Sequence, residues 1–433
     1  MSASALKIGI AGLGTVGVGV LKTLTENAAL ITARAGRDIT VTHVSARTRA
    51  RDRGVDVSGY TWLDDAAAMA DAPVDVVVEL IGGSDGPALV LAERSLAAGK
   101  HVVTANKALI AHQGFGLAQA AETASVNLLF EAAVAGGIPV IKALSDGLAG
   151  NQIVSLQGIL NGTCNYILSV MDKQGLAFDA VLSDAQRLGY AEADPSFDID
   201  GIDAAHKLAI LASMAFGTQI DFNAVAVAGI RAVTPTDLDY ARELGFALKL
   251  IGQAHFSQAG LEQSVGPTLV PLSHPLARVE DSFNAAVFEA EPVGRIVLEG
   301  RGAGEGPTAS AVVADVIDIA RGRVSTPFAM PVHLQRIASP VAQDQLKARF
   351  YMRMTVRDEV GVAAQISSAV RDQGISIDSL LQRGDAGDGL VTFVLTTHQC
   401  SNAAIDSLVH ALSDIAAVAS PPVVMRIHGS NEM

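Results

Sequence analysis

Leu6-Lys7-Ile8-Gly9-Ile10-Ala11 runs without a break into Gly12-Leu13-Gly14-Thr15-Val16-Gly17. The first six residues read as a buried strand, and a helical pattern follows from Val18, so the three glycines fall between strand and helix. In that setting Gly12 permits a tight turn, Gly14 lets backbone N–H groups approach a pyrophosphate, and Gly17 brings helix and strand together. The helix N-terminus then faces the negative charge. The expectation is a dinucleotide-binding α/β layer. Outward from it, Ile39 to Ser45, Asp75 to Leu80, His101 to Thr104 and Asn127 to Phe130 read as further strands, separated by Ala-rich helical stretches. Such alternation predicts a parallel, doubly wound sheet over residues 1–135.

The second strand of a NAD-binding sheet usually ends in an acid that holds the ribose 2′-hydroxyl. Here it ends Val44-Ser45-Ala46-Arg47-Thr48-Arg49. Two arginines without an acid favour a 2′-phosphate, and so NADP, with NAD left open.

Beyond Gly136 the pattern changes. Ile153 to Ile159, Ala247 to His255, Asn284 to Ala290 and Gly294 to Leu298 read as strands among helices, a mixed α+β unit over 136–321. A helix from Pro307 to Ala320 closes it and is free to pack back on the first unit. Pro327, Pro331 and Pro340 mark 322–347 as a linker. The rest, 348–433, reads strand, helix, strand, strand, helix, strand, a βαββαβ unit.

Bulk properties narrow the function. The 433 residues exceed one ordinary core, and the composition, 49% hydrophobic and 18% charged, is that of a globular protein. A formal net charge of −14 argues against nucleic acid or an anionic membrane as partner. The strongest apolar run, Val74 to Ile81, is strand-sized, and no export signal precedes Leu6, so a cytoplasmic location is expected. Two cysteines, Cys164 and Cys400, make neither a disulfide framework nor a metal-ligand spacing.

The stretch Gly189-Tyr190-Ala191-Glu192-Ala193-Asp194-Pro195-Ser196-Phe197-Asp198-Ile199-Asp200-Gly201-Ile202-Asp203 gathers carboxylates at a turn and a helix entry, and Lys207 follows. Asp203 and Lys207 are four apart and share a helix face. Glu192, Asp194 and Asp198 lie in a Pro-containing turn able to converge on a pocket. A small cationic substrate suits such a cluster; a solvated acidic loop with an ordinary ion pair is the plainer alternative.

Seven blocks together resemble homoserine dehydrogenase: GLGTVG from Gly12, GKHVVTANKALIA from Gly99, FEAAVAGGIPVI from Phe130, GILNGTCNYIL from Gly158, GYAEADPSFDIDGIDAAHKLAIL from Gly189, HPLA from His274 and GAGEGPTAS from Gly302. They span residues 5–320 in that family's order. The last segment resembles an ACT domain, and no kinase unit precedes the glycine turn, as in the monofunctional form. The resemblance implies reversible NAD(P)-dependent interconversion of L-homoserine and L-aspartate 4-semialdehyde, on the route to threonine and methionine.

It also implies site residues. Glu192 and Asp203 would contact substrate, with Asp198 a further candidate. Lys107 and Lys207 match the family's two active-site lysines. Lys207 is expected to donate the proton, since a lysine in a closing, partly desolvated pocket can have a lowered pKa, while Lys107 polarises or orients. Thr15, Val16, Thr104, Gly189 and Gly304 would line the cofactor, with Lys107 beside it. A monovalent cation such as sodium would sit at Glu131, Val134, Gly136 and Ile138, where a two-glycine turn can aim carbonyls inward; a purely structural hinge is the alternative. Cys164 is expected to be a buried small residue.

The ACT-like segment keeps Gly361 but lacks the proline usual beside it, in Arg357-Asp358-Glu359-Val360-Gly361. An amino-acid effector, threonine above all, competes there with a purely oligomerising role. A homodimer or homotetramer is the family expectation. Another two-domain amino-acid-pathway oxidoreductase, or a non-catalytic amino-acid sensor, are the competing readings. An acyl-enzyme semialdehyde enzyme needs a cysteine that neither Cys164 nor Cys400 supplies. A sensor would not need Lys107, Glu192, Asp203 and Lys207 together.

Overall fold

The computed structural model describes residues 4–387 and 389–429. Its first layer is a six-stranded sheet, in the order Thr61–Leu63, Ile39–Ser45, Leu6–Ala11, Val76–Glu79, His101–Thr104, Leu128–Leu129. Every pairing in it is parallel. Strand order reverses between Leu6–Ala11 and Val76–Glu79, so their C-terminal ends border the crevice where such sheets take their ligands. The edge strand Thr61–Leu63 was not legible: it has three residues and follows a charged stretch without alternation.

The helix after the glycine turn begins at Thr15, three residues before the sequence pattern indicated, and runs to Glu26. Gly17 therefore lies in its first turn. A Cβ there would fall 2.0 Å from the Gly12 carbonyl oxygen, so only glycine lets the turn fold back so tightly.

The helix Glu305–Ala320 packs on this first sheet. Ala309, Val312 and Val316 share a core with Leu6, Ile8, Val20 and Leu21, and Lys22 pairs with Glu305 at 2.7 Å. It starts two residues before Pro307, which sits in the first turn, where a missing N–H costs nothing.

The second sheet has eleven strands. Its main path runs Gly294–Arg301, Phe283–Glu291, Gln152–Ile159, Phe246–Ser257, Gly260–Pro271, Val423–Ile427, Lys347–Arg357, Leu390–Thr397, Ile377–Gly387. Gly260–Pro271 went unread in the sequence because its Gly266-Pro267 pair is a turn signal, yet it pairs along its whole length with Phe246–Ser257. One junction on the path is parallel: Thr268 and Leu269 stand opposite Arg426 and Ile427. Through it the C-terminal βαββαβ unit continues the sheet of the central unit.

Side chains secure that junction. Arg426 pairs with Glu262 at 2.9 Å. Asp237 caps its own helix, Pro235–Glu243, through Thr234, and accepts from Tyr351 Oη at 3.0 Å and Arg353 Nε at 2.6 Å. No described helix is long and apolar enough to cross a membrane.

Candidate active site

The helix Ile202–Phe216 is buried on almost every face and stands at the centre of the molecule. Gly201 ends the preceding turn with φ +86°, so the chain enters the helix with Asp203 in its first turn, where a carboxylate is favoured by the helix dipole. A second helix, Lys107–Ala124, packs against it and starts with Lys107. Lys107 opens this helix because Asn106 caps it by accepting the Leu109 N–H at 3.1 Å.

The two helices meet in a three-charge bridge. Lys107 Nζ lies 2.9 Å from Asp203 Oδ1, and Lys207 Nζ lies 2.7 Å from Asp203 Oδ2. Lys207 also donates to the Leu160 carbonyl at 2.7 Å. The two ammonium groups differ in access: the Lys107 side chain is 32% exposed and that of Lys207 10%. Burial pushes the Asp203 carboxyl up, but the lysines outweigh it and hold the group well below the usual carboxylate range. Burial likewise opposes the charge on Lys107, yet Asp203 and, more weakly, Asp198 and Glu192 raise its pKa.

Asn161 completes the cluster, and sequence reasoning missed it. Its Nδ2 donates to Asp198 Oδ1 and to Asp203 Oδ2, both at 2.8 Å, while its Oδ1 caps the helix Gly162–Gln174 at the Cys164 N–H. The NGT sequence is a capping signal, which hid the second task of the same side chain. Asp198 is pushed up by burial and by Asp203, with Asn161 opposing. Cys164 is fully buried, donates to the Asp198 carbonyl, and has its thiol pKa raised by burial and the nearby carboxylates, as expected of an inert residue.

The acidic stretch does not converge as a whole. Asp194 accepts the Ser196 N–H within its own turn, and Asp200 pairs at the surface with Arg231. Glu192 is exposed at the rim and reaches the site through its field on Lys107. Phe197 lies under the Lys107 ammonium, 5.5 Å from ring centre to Nζ, where a ring face attracts a cation.

At the crevice of the first sheet, Gly14 is the extended N-cap of Thr15–Glu26, with no side-chain cap and no acid in the first turn. Nothing stands within 4 Å of the place a Gly14 Cβ would occupy. Bare N–H groups and open space suit a pyrophosphate, and Leu13, Thr15 and Val16 border them. Gly304, at φ +115°, caps Glu305–Ala320, and Gly189, at φ +80°, ends the helix Phe178–Leu188. Thr104 is fully buried and donates to Glu79 Oε2 at 2.6 Å, while Glu79 Oε1 accepts the Ile81 and Gly82 N–H groups. Thr104 therefore shapes the crevice floor from beneath. Glu79 gave no sequence signal, being the last residue of an otherwise apolar strand. Arg47 and Arg49 are exposed past the second strand, with Arg49 and Arg53 over the Trp62 ring.

In the Glu131 loop, the carboxylate accepts the Ile141 and Lys142 N–H groups at 2.9 Å each. Burial and Asp315 push Glu131 up to about 7, and burial pushes Asp315 up to about 6 against Lys142. Ile138 gives its carbonyl to the Val140 N–H. Among the described residues no backbone N–H bonds the carbonyls of Val134 or Gly136, and no group of three His, Cys, Asp or Glu is placed to hold a metal.

Comparison with known proteins places these features in one context. Residues 139–317 match the family model "Homoserine dehydrogenase", and 12–131 match "Homoserine dehydrogenase, NAD binding domain". Homoserine dehydrogenase of Pseudomonas aeruginosa is 42% identical over 435 residues, covering 98% of this chain and 99% of its own. The crystal structure of a homoserine dehydrogenase from Thiobacillus denitrificans superposes with a TM-score of 0.92 at 41% identity, over 98% of both chains. A hyperthermophilic archaeal homoserine dehydrogenase mutant, solved in complex with NADPH, superposes with a TM-score of 0.62 at 26% identity, over 72% of this chain and 97% of that one.

Proposed function

The chain belongs to the homoserine dehydrogenase family, and from that premise we propose that Lys107 supplies the proton, and Asp203 with Lys207 holds it in place, in the interconversion of L-homoserine and L-aspartate 4-semialdehyde. The activity itself is that of a nicotinamide-dependent oxidoreductase acting on an alcohol group. The bound nicotinamide supplies or accepts the hydride. What remains for the protein is to stabilise charge on the reacting oxygen and to move one proton.

The observation that carries the assignment is the unequal access of the two ammonium groups. Lys207 has committed two of its three N–H bonds, to Asp203 and to the Leu160 carbonyl. Lys107 has one carboxylate partner and a third of its side chain open. This reverses the roles expected from sequence: Lys107 donates, and Lys207 fixes Asp203. Asp203 then acts through the lysines, since pairing with a substrate ammonium would require it to release one of them. Glu192 and Asp198 are the carboxylates left to receive that ammonium.

Lys107→Ala and Lys207→Ala test the division. Both are expected to lower kcat by about 10²–10⁴-fold, the range for a positioned acid–base group. Added methylamine should restore activity to the Lys107 variant, whose vacated space opens to the crevice, and not to the Lys207 variant, whose space is enclosed. Full activity in Lys107→Ala would sink the assignment.

NADP is the proposed preferred cofactor, supported by the exposed Arg47 and Arg49, with Arg53 near them, at the end of the second strand. Replacing Arg47 and Arg49 together by alanine should raise the KM for NADP about tenfold or more, on the scale of charged hydrogen bonds lost, and leave that for NAD nearly unchanged. Equal effects on both cofactors would rule out 2′-phosphate recognition.

Three further assignments complete the reading. Sodium fits the Glu131 loop, where the Val134 and Gly136 carbonyls are free of described backbone donors and hard oxygen ligands are what it prefers; Ile138 would join by its second lone pair. The C-terminal unit is an ACT domain, supported by its βαββαβ order and by Gly361, which caps the helix Val362–Asp372 at φ +94° and leaves Val360 fully exposed. The working form is a homodimer or homotetramer. Sodium-dependent melting, threonine titration of initial rates and sedimentation read these out in turn.

A further inference from the structure

The two helices that bring the lysines together meet a second time, one helical turn deeper. His112 lies on the Lys107 helix and His206 on the Lys207 helix, and their Nε2 atoms are 2.9 Å apart. His206 is buried, stacked on Phe222 with centroids 4.2 Å apart and tilted against Phe197 at 5.5 Å. Phe197 is also the ring beneath the Lys107 ammonium. Asp203, His206 and Lys207 are spaced i, i+3 and i+4, so they project from one side of the helix.

We propose that the His112–His206 pair is a positioning clamp that sets the spacing of Lys107 and Lys207, and that it holds only while the two rings share a single proton between their facing nitrogens. The inference rests on the lysine roles proposed above.

The reasoning is one of hydrogen-bond accounting. Two facing imidazole nitrogens bond only if one donates and the other accepts. The buried Nδ1 of His206 has no partner among the described residues. Leaving a lone pair there is less costly than burying an unpaired N–H, which favours His206 Nε2–H donating to His112. A proton added at His112 Nε2 would turn both facing nitrogens into donors, break the bond and set an imidazolium against the His206 N–H. The charged groups that act on His206 are Lys107, which opposes a positive ring, and Asp203, which favours one. Asp221 beneath Phe222 is committed to the Ala224 N–H. Burial, then His112 and Lys107, hold the His206 pKa down to about 4, with Asp203 opposing, so the ring is neutral at working pH. The aromatic neighbours suit a neutral ring, and ring nitrogens add a directional tie that apolar packing alone lacks.

The test is His206→Phe, which keeps the stack on Phe222 and removes the tie, with His206→Gln as the conservative variant that can still donate to His112. Phe is expected to lower kcat about tenfold with KM and melting temperature little changed, the size of effect that a misplaced catalytic group produces; Gln is expected to restore most of it. In wild type, kcat should fall as pH drops below the ordinary histidine range, and that limb should be missing in His206→Phe. If His206→Phe does not fold, His112→Leu removes the same bond from the exposed side. In a Lys107→Ala background, adding His206→Phe should cause no further loss. Unchanged kcat and an unchanged acid limb in folded His206→Phe or His112→Leu overturn the clamp. Undiminished activity in Lys107→Ala alone overturns the lysine assignment instead, and so separates the two failures.

Discussion

Gly17→Ala is expected to abolish binding of the nicotinamide cofactor and to destabilise the first domain by about 2–4 kcal/mol, in the upper range for single substitutions. The added methyl would stand 2.0 Å from the Gly12 carbonyl oxygen and 3.0 Å from its carbon, inside any permitted contact. Relief cannot come from Gly12, which is itself held at φ +107° with the Leu80 carbonyl 2.3 Å from where its own Cβ would lie. The helix Thr15–Glu26 would have to withdraw, taking the N–H groups of its first turn away from the crevice. Titration of NADPH fluorescence and thermal melting measure the two effects. Tight binding in a folded variant would contradict the glycine-turn site.

The second large effect is expected at Asp203. Asp203→Asn keeps the shape and removes the one negative charge that both ammonium groups share. Losing one partner of a buried pair costs about 3–5 kcal/mol because the other is left uncompensated. Lys207 is the more enclosed and bears most of that; the exposed part of Lys107 is screened by solvent. Activity should fall about 10²-fold or more as both lysines lose their fixed positions.

The acid profile gives an independent check. Asp203 is held below its ordinary pKa, so it stabilises the fold fully above the unfolded value of about 4, and that contribution is lost as pH falls through the folded one. Asp203→Asn should therefore melt at lower temperature at neutral pH, and the gap from wild type should narrow in acid. A constant gap from pH 7 down to 3 would mean the carboxylate is not the source of the stability.

The first sheet was largely legible because buried parallel strands are continuous apolar runs with glycine-marked ends, and strand Leu6–Ala11 matches its sequence reading to the residue. Helix starts were less so, since Thr15 and Val16 carry no signal to separate turn from helix. The lysines and Asp203 were found through the family resemblance together with the i, i+4 spacing. Their unequal exposure was not, because it depends on Leu160 and Asn161, which the fold brings up from forty or more positions away. Asp194 was grouped with Glu192 and Asp198 in one turn by the sequence; only the turn geometry assigns it to the Ser196 N–H. His112 and His206 were silent for the same reason, since neither contains in its own neighbourhood any sign of the other.

The parallel junction between Gly260–Pro271 and Val423–Ile427 has a consequence for how this protein could be divided. A module hung on a linker can be cut away and leave its neighbour whole. Here, removal would strip Thr268 and Leu269 of their ladder partners and bare the backbone of a central strand, a template for adhesion between molecules. It would also leave the Asp237 carboxylate, enclosed and charged, without Tyr351 and Arg353. The C-terminal fifth is thus a structural half-wall of the enzyme, and shortening the gene to its catalytic blocks would leave a sticky remnant.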